Sequence, residues 1–257
     1  MFDLKGKIFV VVGGAGLIGA AFSRAIAELG GTVVVADQDE TKAGPLVAEL
    51  SKGTGEAAFE SVNVADAGAV DALAGRVMKK YGRVDGVVNA AYPRTASYPQ
   101  SFDTSSHEDI LENLSLMLGG NFSIVRAFAP HMKKQKGGSI VFLGSIYGVV
   151  APKFDLYDGT DMINPPEYAA AKGGTIMLAK YFASLLGPDN IRVNVISPGG
   201  VLNDQPESFL KAYKKHARLS PGMLSPEDLG GTLAFLFSDA SKKMTGQNLI
   251  VDGGWTL

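Results

Sequence analysis

The chain contains no cysteine, and that one absence removes a disulfide framework, a thiol nucleophile and a thiolate metal site. Histidine is scarce as well. His107, His131 and His216 stand far apart and match no metal-ligand spacing, so no metal is expected. Charge is nearly balanced, at −2 over 257 residues, which does not suggest a nucleic-acid partner. No apolar run reaches the roughly 18 residues that a membrane span needs, and the start lacks the charged-then-apolar order of a signal peptide. No repeat, low-complexity tract or Pro/Ser-rich linker divides the sequence. The expectation is a cytoplasmic protein with one domain over residues 1–257 and a single sizeable core.

What is present alternates. Apolar runs of strand length at 7–12, 32–36, 57–62, 84–88, 139–143, 191–196 and 248–251 are separated by helical spacing at 17–29, 40–52, 66–81, 106–134, 167–186 and 226–238. Strands separated in this way pair in parallel through right-handed crossovers. The predicted fold is α/β, a doubly wound parallel sheet of about seven strands with helices on both faces. Ligands of such sheets bind outside the carboxyl ends of the strands, where the strand order reverses.

Two features carry chemistry. On the helix at 167–186, which Pro165 and Pro166 open and Gly187-Pro188 closes, Tyr168 and Lys172 lie four apart and share a face. A cation beside a phenol stabilises the phenolate and brings its pKa down from about 10, which makes a tyrosine a usable general acid/base. At the other end, the run Ile8 to Val12 leads into Gly13-Gly14-Ala15-Gly16-Leu17-Ile18-Gly19 and then a helical pattern. Strand, glycine turn and helix are the setting of a dinucleotide site. Glycine lets the backbone approach a pyrophosphate, and the helix start offers free N–H groups. The second run, Thr32 to Ala36, ends at Asp37, which places a carboxylate where an adenosine ribose is bound. The bland alternative, a tight turn and an ordinary aspartate, does not explain why the two occur together.

These residues resemble the short-chain dehydrogenase/reductase family, whose fold is of the single-domain Rossmann type. The likeness covers nearly the whole chain. It includes Asn89-Ala90-Ala91, Gly144-Ser145, Arg192-Val193-Asn194-Val195-Ile196-Ser197-Pro198-Gly199, Thr245-Gly246-Gln247 and Val251-Asp252-Gly253-Gly254. The resemblance implies that Tyr168 exchanges a proton with a substrate hydroxyl or carbonyl while hydride moves to or from a nicotinamide. Lys172 would lower the tyrosine pKa and bond the nicotinamide ribose, and Ser145 would hold the substrate oxygen. Cofactor contacts would come from Gly13, Ala15, Gly16, Leu17, Ile18 and Gly19, and from Asp37, Gln38, Asn63, Val64, Asn89, Ala90 and Ala91. Tyr168, Lys172, Pro198, Gly199 and Val201 would complete the set. A carboxylate at Asp37 accepts a free ribose 2′-OH and repels a 2′-phosphate. With Gln38 rather than Arg next to it, the cofactor expected is NAD. The resemblance also implies a homodimer or homotetramer built on helices 106–134 and 167–186.

Three departures stand out. The glycine spacing is G-x-x-G-x-x-G, more typical of longer sugar-nucleotide-modifying relatives. Met117 occupies the place of the family's water-anchoring relay asparagine, with Asn113 and Asn121 one helical turn to either side. The segment 147–166, with Lys153, Tyr157, Asp158, Asp161 and Asn164, is longer than usual and is expected to lie over the site.

Substrate evidence comes from the stretch between Asn203 and Met223, which carries Phe209, Lys211, Tyr213, Lys214, Lys215, His216 and Arg218, and from Arg94. Cations around a cleft favour an anionic substrate, whereas a charge run on a solvated helix face favours none. The stretches from Ser145 to Pro152, from Tyr157 to Thr160 and from Ser197 to Glu207 look like dehydrogenases of bacterial flagellin-glycan and nonulosonic-acid sugar synthesis. The functional reading is an NAD-dependent oxidoreductase of a small polar, sugar-like or anionic alcohol. The alternatives are an epimerase or dehydratase with a transiently reduced bound cofactor, and a non-catalytic NAD-binding or sensing protein.

Overall fold

The computed structural model describes residues 2–53 and 55–257. Its strands are β1 (Ile8–Val12), β2 (Thr32–Asp37), β3 (Ala57–Ser61), β4 (Gly86–Asn89), β5 (Gly138–Leu143), β6 (Ile191–Pro198) and β7 (Asn248–Val251). All pair in parallel in one sheet of order β3-β2-β1-β4-β5-β6-β7. The helices are α1 (Leu17–Glu28), α2 (Glu40–Leu50), α3 (Ala67–Tyr81), α4 (His107–Lys134), α5 (Pro166–Leu186), α6 (Glu207–Lys214) and α7 (Gly230–Phe237). This is the expected Rossmann-type α/β fold. Among the described residues, no helix is long and apolar enough to cross a membrane.

The near-continuous valines of β1 and β2 follow from burial on both sides. Side chains alternate across a strand, and a parallel sheet covered by helices needs apolar residues at every position. Val10, Val34 and Val87 point into one core, where α3, α4 and α5 pack. Phe9, Val11, Val33 and Val35 point into the other, with Phe22 and Ile26 of α1 and Leu233 of α7. Local signals set the helix ends. Asp66 accepts from the backbone N–H groups of Gly68 and Ala69 at 2.8 and 3.2 Å, and the left-handed Gly82 terminates α3. Ser106 accepts from Asp109 N at 3.0 Å and starts α4.

Two elements differ from the spacing. The pattern at 226–238 divides into a 3-10 turn, Pro226–Leu229, and the shorter α7, because Ser225 and Asp228 close a capping box on the turn itself. Helix α6 is not among the predicted helices and falls in the stretch between Asn203 and Met223 noted for its aromatics and charges. It is eight residues long and its inward face consists of Phe209 and Tyr213, too few positions to register as a period. The C-terminal motifs fasten the sheet edge. Asn194 of β6 donates to Met244 O at 3.1 Å and accepts from Gln247 N at 3.0 Å, which fixes the entry to β7.

Candidate active site

At the carboxyl edge of the sheet, where β1 and β4 send their chains in opposite directions, lies a cleft of about 730 Å³. The glycine turn forms one end. A Cβ on Gly19 would lie 2.0 Å from Gly13 O, so the turn closes only with hydrogen at that position. Gly16 is the N-cap of α1 and supplies no side-chain cap, which leaves the helix's first N–H groups facing the cleft. Asp37 ends β2 beside it. One carboxylate oxygen accepts from Ala15 N at 3.0 Å and the other from Asp39 N at 3.1 Å, so the group is fixed in place while its outer lone pairs stay available. Gln38 and Asn63 follow along the same wall. Asn63 uses its side-chain oxygen on Ala65 N at 3.1 Å and keeps its amide N–H₂ free.

Of the residues expected around a cofactor, Gly13, Gly16, Leu17, Ile18, Gly19, Asp37, Gln38, Asn63, Val64, Ala90 and Ala91 line this cleft, as do Tyr168, Lys172, Pro198, Gly199 and Val201. Ala15 and Asn89 do not. Ala15 packs on the core and meets the site through its N–H. Asn89 is the last residue of β4 and is buried beneath the wall. It accepts from Ala91 N at 3.2 Å and donates to Asn121 at 2.7 Å, so it shapes the Ala90-Ala91 turn from below.

Ser145, Tyr168 and Lys172 converge at the cleft's centre. The 3-10 turn Ile146–Gly148 that follows Ser145 rests directly on α5, and a Cβ on Gly148 would lie 2.6 Å from the Lys172 carbonyl carbon. Ser145 Oγ accepts from Tyr147 N at 3.2 Å, which leaves its hydroxyl proton free to donate. Lys172 Nζ donates to Leu143 O at 2.8 Å and sits 5.6 Å from the centre of the Tyr168 ring.

The expected electrostatics need correction. Burial raises the Tyr168 pKa above the ordinary phenol value, the opposite of what the lysine spacing predicted, and the opposing pull comes from a hydrogen bond with Ser145. Burial also lowers Lys172 to about 8, which weakens its hold as a fixed cation.

Neither asparagine beside Met117 lines the cleft. Asn121 accepts from Asn89 and donates to Thr175 of α5 at 3.3 Å. Asn113 accepts from Thr95 N at 3.0 Å and donates to Thr95 Oγ1 at 3.1 Å and Asp109 O at 2.9 Å. Both amides are committed to partners that do not line the cleft, and Met117 itself is buried.

The sequence points to Tyr157, Tyr168 and Tyr213 separately but not to the tyrosine-rich wall they form with three others. Six of the eight tyrosines line the cleft, namely Tyr92, Tyr98, Tyr147, Tyr157, Tyr168 and Tyr213. Tyr92 and Tyr98 share a short hydroxyl–hydroxyl hydrogen bond, and Tyr92 meets the Tyr168 ring edge-on at 5.6 Å. Their number was visible in the composition, but residues scattered over 120 positions give no local period. The segment 147–166 does lie over the site. Tyr157, Met162, Ile163, Asn164 and Pro165 line the cleft, while Lys153 turns away to His216 at 3.0 Å and to the Trp255 ring. On α6 the inward side chains are Phe209 and Tyr213, and Lys211, Lys214 and Lys215 are exposed. Arg94 and Lys172 are the cations among the cleft's lining residues.

A family model described as enoyl-(acyl carrier protein) reductase matches residues 13–256. The chain belongs to the short-chain dehydrogenase/reductase family. It is 38% identical to the post-translational flagellin modification protein A of Campylobacter coli, over 99% of this chain and all of that one. Among solved members of the family, it is similar to a gluconate 5-dehydrogenase from Burkholderia cenocepacia in complex with NADP and tartrate. That match has a TM-score of 0.85 and 26% identity, and covers 99% of this chain and 97% of the other. It is also similar to a 7α-hydroxysteroid dehydrogenase complexed with NADH and 7-oxo glycochenodeoxycholic acid, with a TM-score of 0.87 and 27% identity over 98% of this chain and 95% of the other.

The buried ammonium sets a pH dependence. A lysine in the unfolded chain keeps its proton to about pH 10.4, whereas Lys172 in the fold releases it near pH 8. Between those values the unfolded state binds more protons, so this group's contribution to stability rises with pH across that window and is least favourable below pH 8. Lys172→Met should therefore leave the cofactor-free protein at least as resistant to guanidinium at pH 7 as the parent, with the gain shrinking by pH 9.5. Lower resistance of the variant at pH 7 would mean that the bond to Leu143 outweighs the burial of charge.

Proposed function

We propose that this chain is an NAD-dependent oxidoreductase that interconverts a secondary alcohol and a ketone on a small polar, sugar-like substrate. The observation that carries the reading is the meeting of Ser145, Tyr168 and Lys172 in the same cleft as the Gly13–Gly19 turn and Asp37. The cleft fits a dinucleotide by its own chemistry, since Gly19 has no room for a Cβ, the start of α1 is uncapped, and a fixed carboxylate stands beside it. The nicotinamide, when bound, supplies the hydride acceptor or donor.

The residues of the chain handle the proton. Tyr168, kept neutral by burial, gives its hydroxyl proton to the ketone oxygen in reduction. In oxidation it takes the alcohol proton as a phenolate, which a protonated Lys172 favours. Ser145 donates to the substrate oxygen and holds it where negative charge develops. Lys172 anchors one N–H on Leu143 O and has two more for ribose hydroxyls.

Cofactor choice rests on Asp37. A 2′-phosphate would face this carboxylate, and the cations of α1 and α2 are already paired, Arg24 with Glu49 at 2.7 Å and Lys42 with Asp39 at 3.0 Å. The solved relatives are named with NADP in one case and NADH in the other, so Asp37 is the discriminating feature. For the substrate, the exposed lysines of α6 offer the cleft no anion site, and hydroxyl-bearing aromatic walls suit a polyhydroxylated ligand better than a highly charged one. We also read the chain as a homodimer or homotetramer. Leu111 and Phe122 on α4 and Met177, Tyr181 and Leu185 on α5 are at least half exposed, an apolar surface that a symmetry mate would cover.

Three measurements bear on this. With NAD and a polyol panel, NADH should accumulate in proportion to substrate, and Tyr168→Phe should reduce turnover at least ten-fold while still binding NAD. A variant with parental turnover would remove Tyr168 as the acid/base. Calorimetric titration should find NAD bound more tightly than NADP, with Asp37→Ala plus Gln38→Arg shifting the preference toward NADP; equal affinities in the parent would refute the role of Asp37. Light scattering at micromolar concentration should give a mass of two or four chains, and a 26.9 kDa monomer would reject the assembly.

A further inference from the structure

Above the Tyr168 ring, the long segment between Ser145 and α5 builds a directed chain of hydrogen bonds. Asn164 donates from Nδ2 to the Tyr157 hydroxyl oxygen at 3.0 Å. Tyr157 in turn donates its hydroxyl proton to the Tyr147 oxygen at 3.1 Å. Each link uses a donor, so the chain has two open ends. At one end, Asn164 Oδ1 is buried with no partner, an acceptor withdrawn from water and left unused. At the other, the Tyr147 hydroxyl already receives a proton from Tyr157 and still has its own to give. Both residues line the cleft.

We propose that Asn164 and Tyr147 form a recognition subsite for a second hydroxyl group of the substrate, one or two carbons from the hydroxyl on which Tyr168 acts. This rests on the reading of Ser145 and Tyr168 as the reacting centre.

The matching argument is stoichiometric. The subsite holds one acceptor and one donor, both neutral, and a hydroxyl is the group that pairs with both, accepting from Tyr147 and donating to Asn164 Oδ1 once the side chain turns that buried atom toward the cleft. A carboxylate has no proton for Asn164 and would meet an acceptor. An ammonium has no lone pair for Tyr147. Burial holds Tyr147 far above the usual phenol range, so it remains a donor throughout the physiological range.

Placement follows from the backbone. Tyr147 lies two residues after Ser145 in the turn that rests on α5, and its N–H donates to Ser145 Oγ. Asn164 lies four residues before Tyr168. The subsite is therefore bound to both halves of the reacting centre. It is also rigid. The 3-10 turn Phe154–Tyr157 packs through Leu156 into the cluster around Trp255, and Thr160 donates to Tyr157 O at 2.8 Å. A buried group that must be paired discriminates strongly against a ligand that lacks the partner.

The minimal probes are cyclohexanol, 1,2-cyclohexanediol and 1,3-cyclohexanediol, which differ only in the second hydroxyl. Binding of each to the NADH complex would be followed by NMR titration for the parent, for Asn164→Ala and for Tyr147→Phe. The parent should bind at least one diol ten-fold or more tightly than cyclohexanol, and each variant should bring that ratio close to one. Tyr147→Phe keeps the ring that packs on Trp255, so it carries the test if Asn164→Ala fails to fold. Equal binding of all three probes by the parent, or an unchanged ratio in a folded variant, overturns the subsite. Turnover of the same probes with NAD, compared with Tyr168→Phe, reports separately on the reaction. Diol preference without turnover would leave the subsite standing and remove the dehydrogenase reading. Turnover without preference would do the reverse.

Discussion

Between β1 and β4 the winding of the sheet reverses. From β1 the crossovers lead outward through β2 to β3, and from β4 they lead the other way through β5 and β6 to β7. Two neighbouring strands whose chains depart in opposite directions cannot cover their shared carboxyl ends, and a crevice remains between them. Residues far apart in sequence then arrive at one place because each stands at the end of a strand. The glycine turn follows β1, Asp37 ends β2, Ala90 follows β4, Ser145 follows β5 and Gly199 follows β6. Tyr168 and Lys172 are the exceptions. They come from the side of a helix, and what brings them in is the seating of the Ser145–Gly148 turn on the backbone of α5.

That division explains what could be read from the sequence. The inner strands are buried on both faces and read as apolar runs, and these and the half-buried edge strands β3 and β7 are visible in the sequence to within two residues of their ends. The glycine turn and Asp37 were legible because a strand end is a local feature, with its partners fixed by the order of elements. The proton chemistry was only half legible. Helical spacing correctly put Tyr168 and Lys172 on one face, but a spacing carries no information about burial. Burial is what raises the phenol, lowers the ammonium to about 8 and makes Ser145 the neighbour that opposes it. Likewise, Asn113 and Asn121 share a face with Met117, yet each amide is committed to a partner on another element, Thr95 in one case and Asn89 with Thr175 in the other.

The walls of the cleft were the least legible part. Tyr92 and Tyr98, Tyr147 and Tyr157, and Tyr213 come from two separate loops and from α6, and only the fold shows that they line one cleft. The charged residues of α6 misdirect for a related reason. In this eight-residue helix the aromatics turn inward and the lysines outward, so the lysines describe its solvent side and Phe209 and Tyr213 describe the site.

One aromatic in this cluster has a consequence for observation. Trp255 is the sole tryptophan of the chain, and it is buried against the Tyr213 ring at 5.8 Å, with Tyr147, His216 and the Lys153 ammonium around it. These neighbours belong to α6, to the turn after Ser145 and to the long segment above the site. Ultraviolet emission excited at the red edge of indole absorption therefore comes from a single position at the junction of all three. The molecule carries a built-in optical reporter, and any ligand that shifts α6 or the overlying segment will change its colour or intensity without a label.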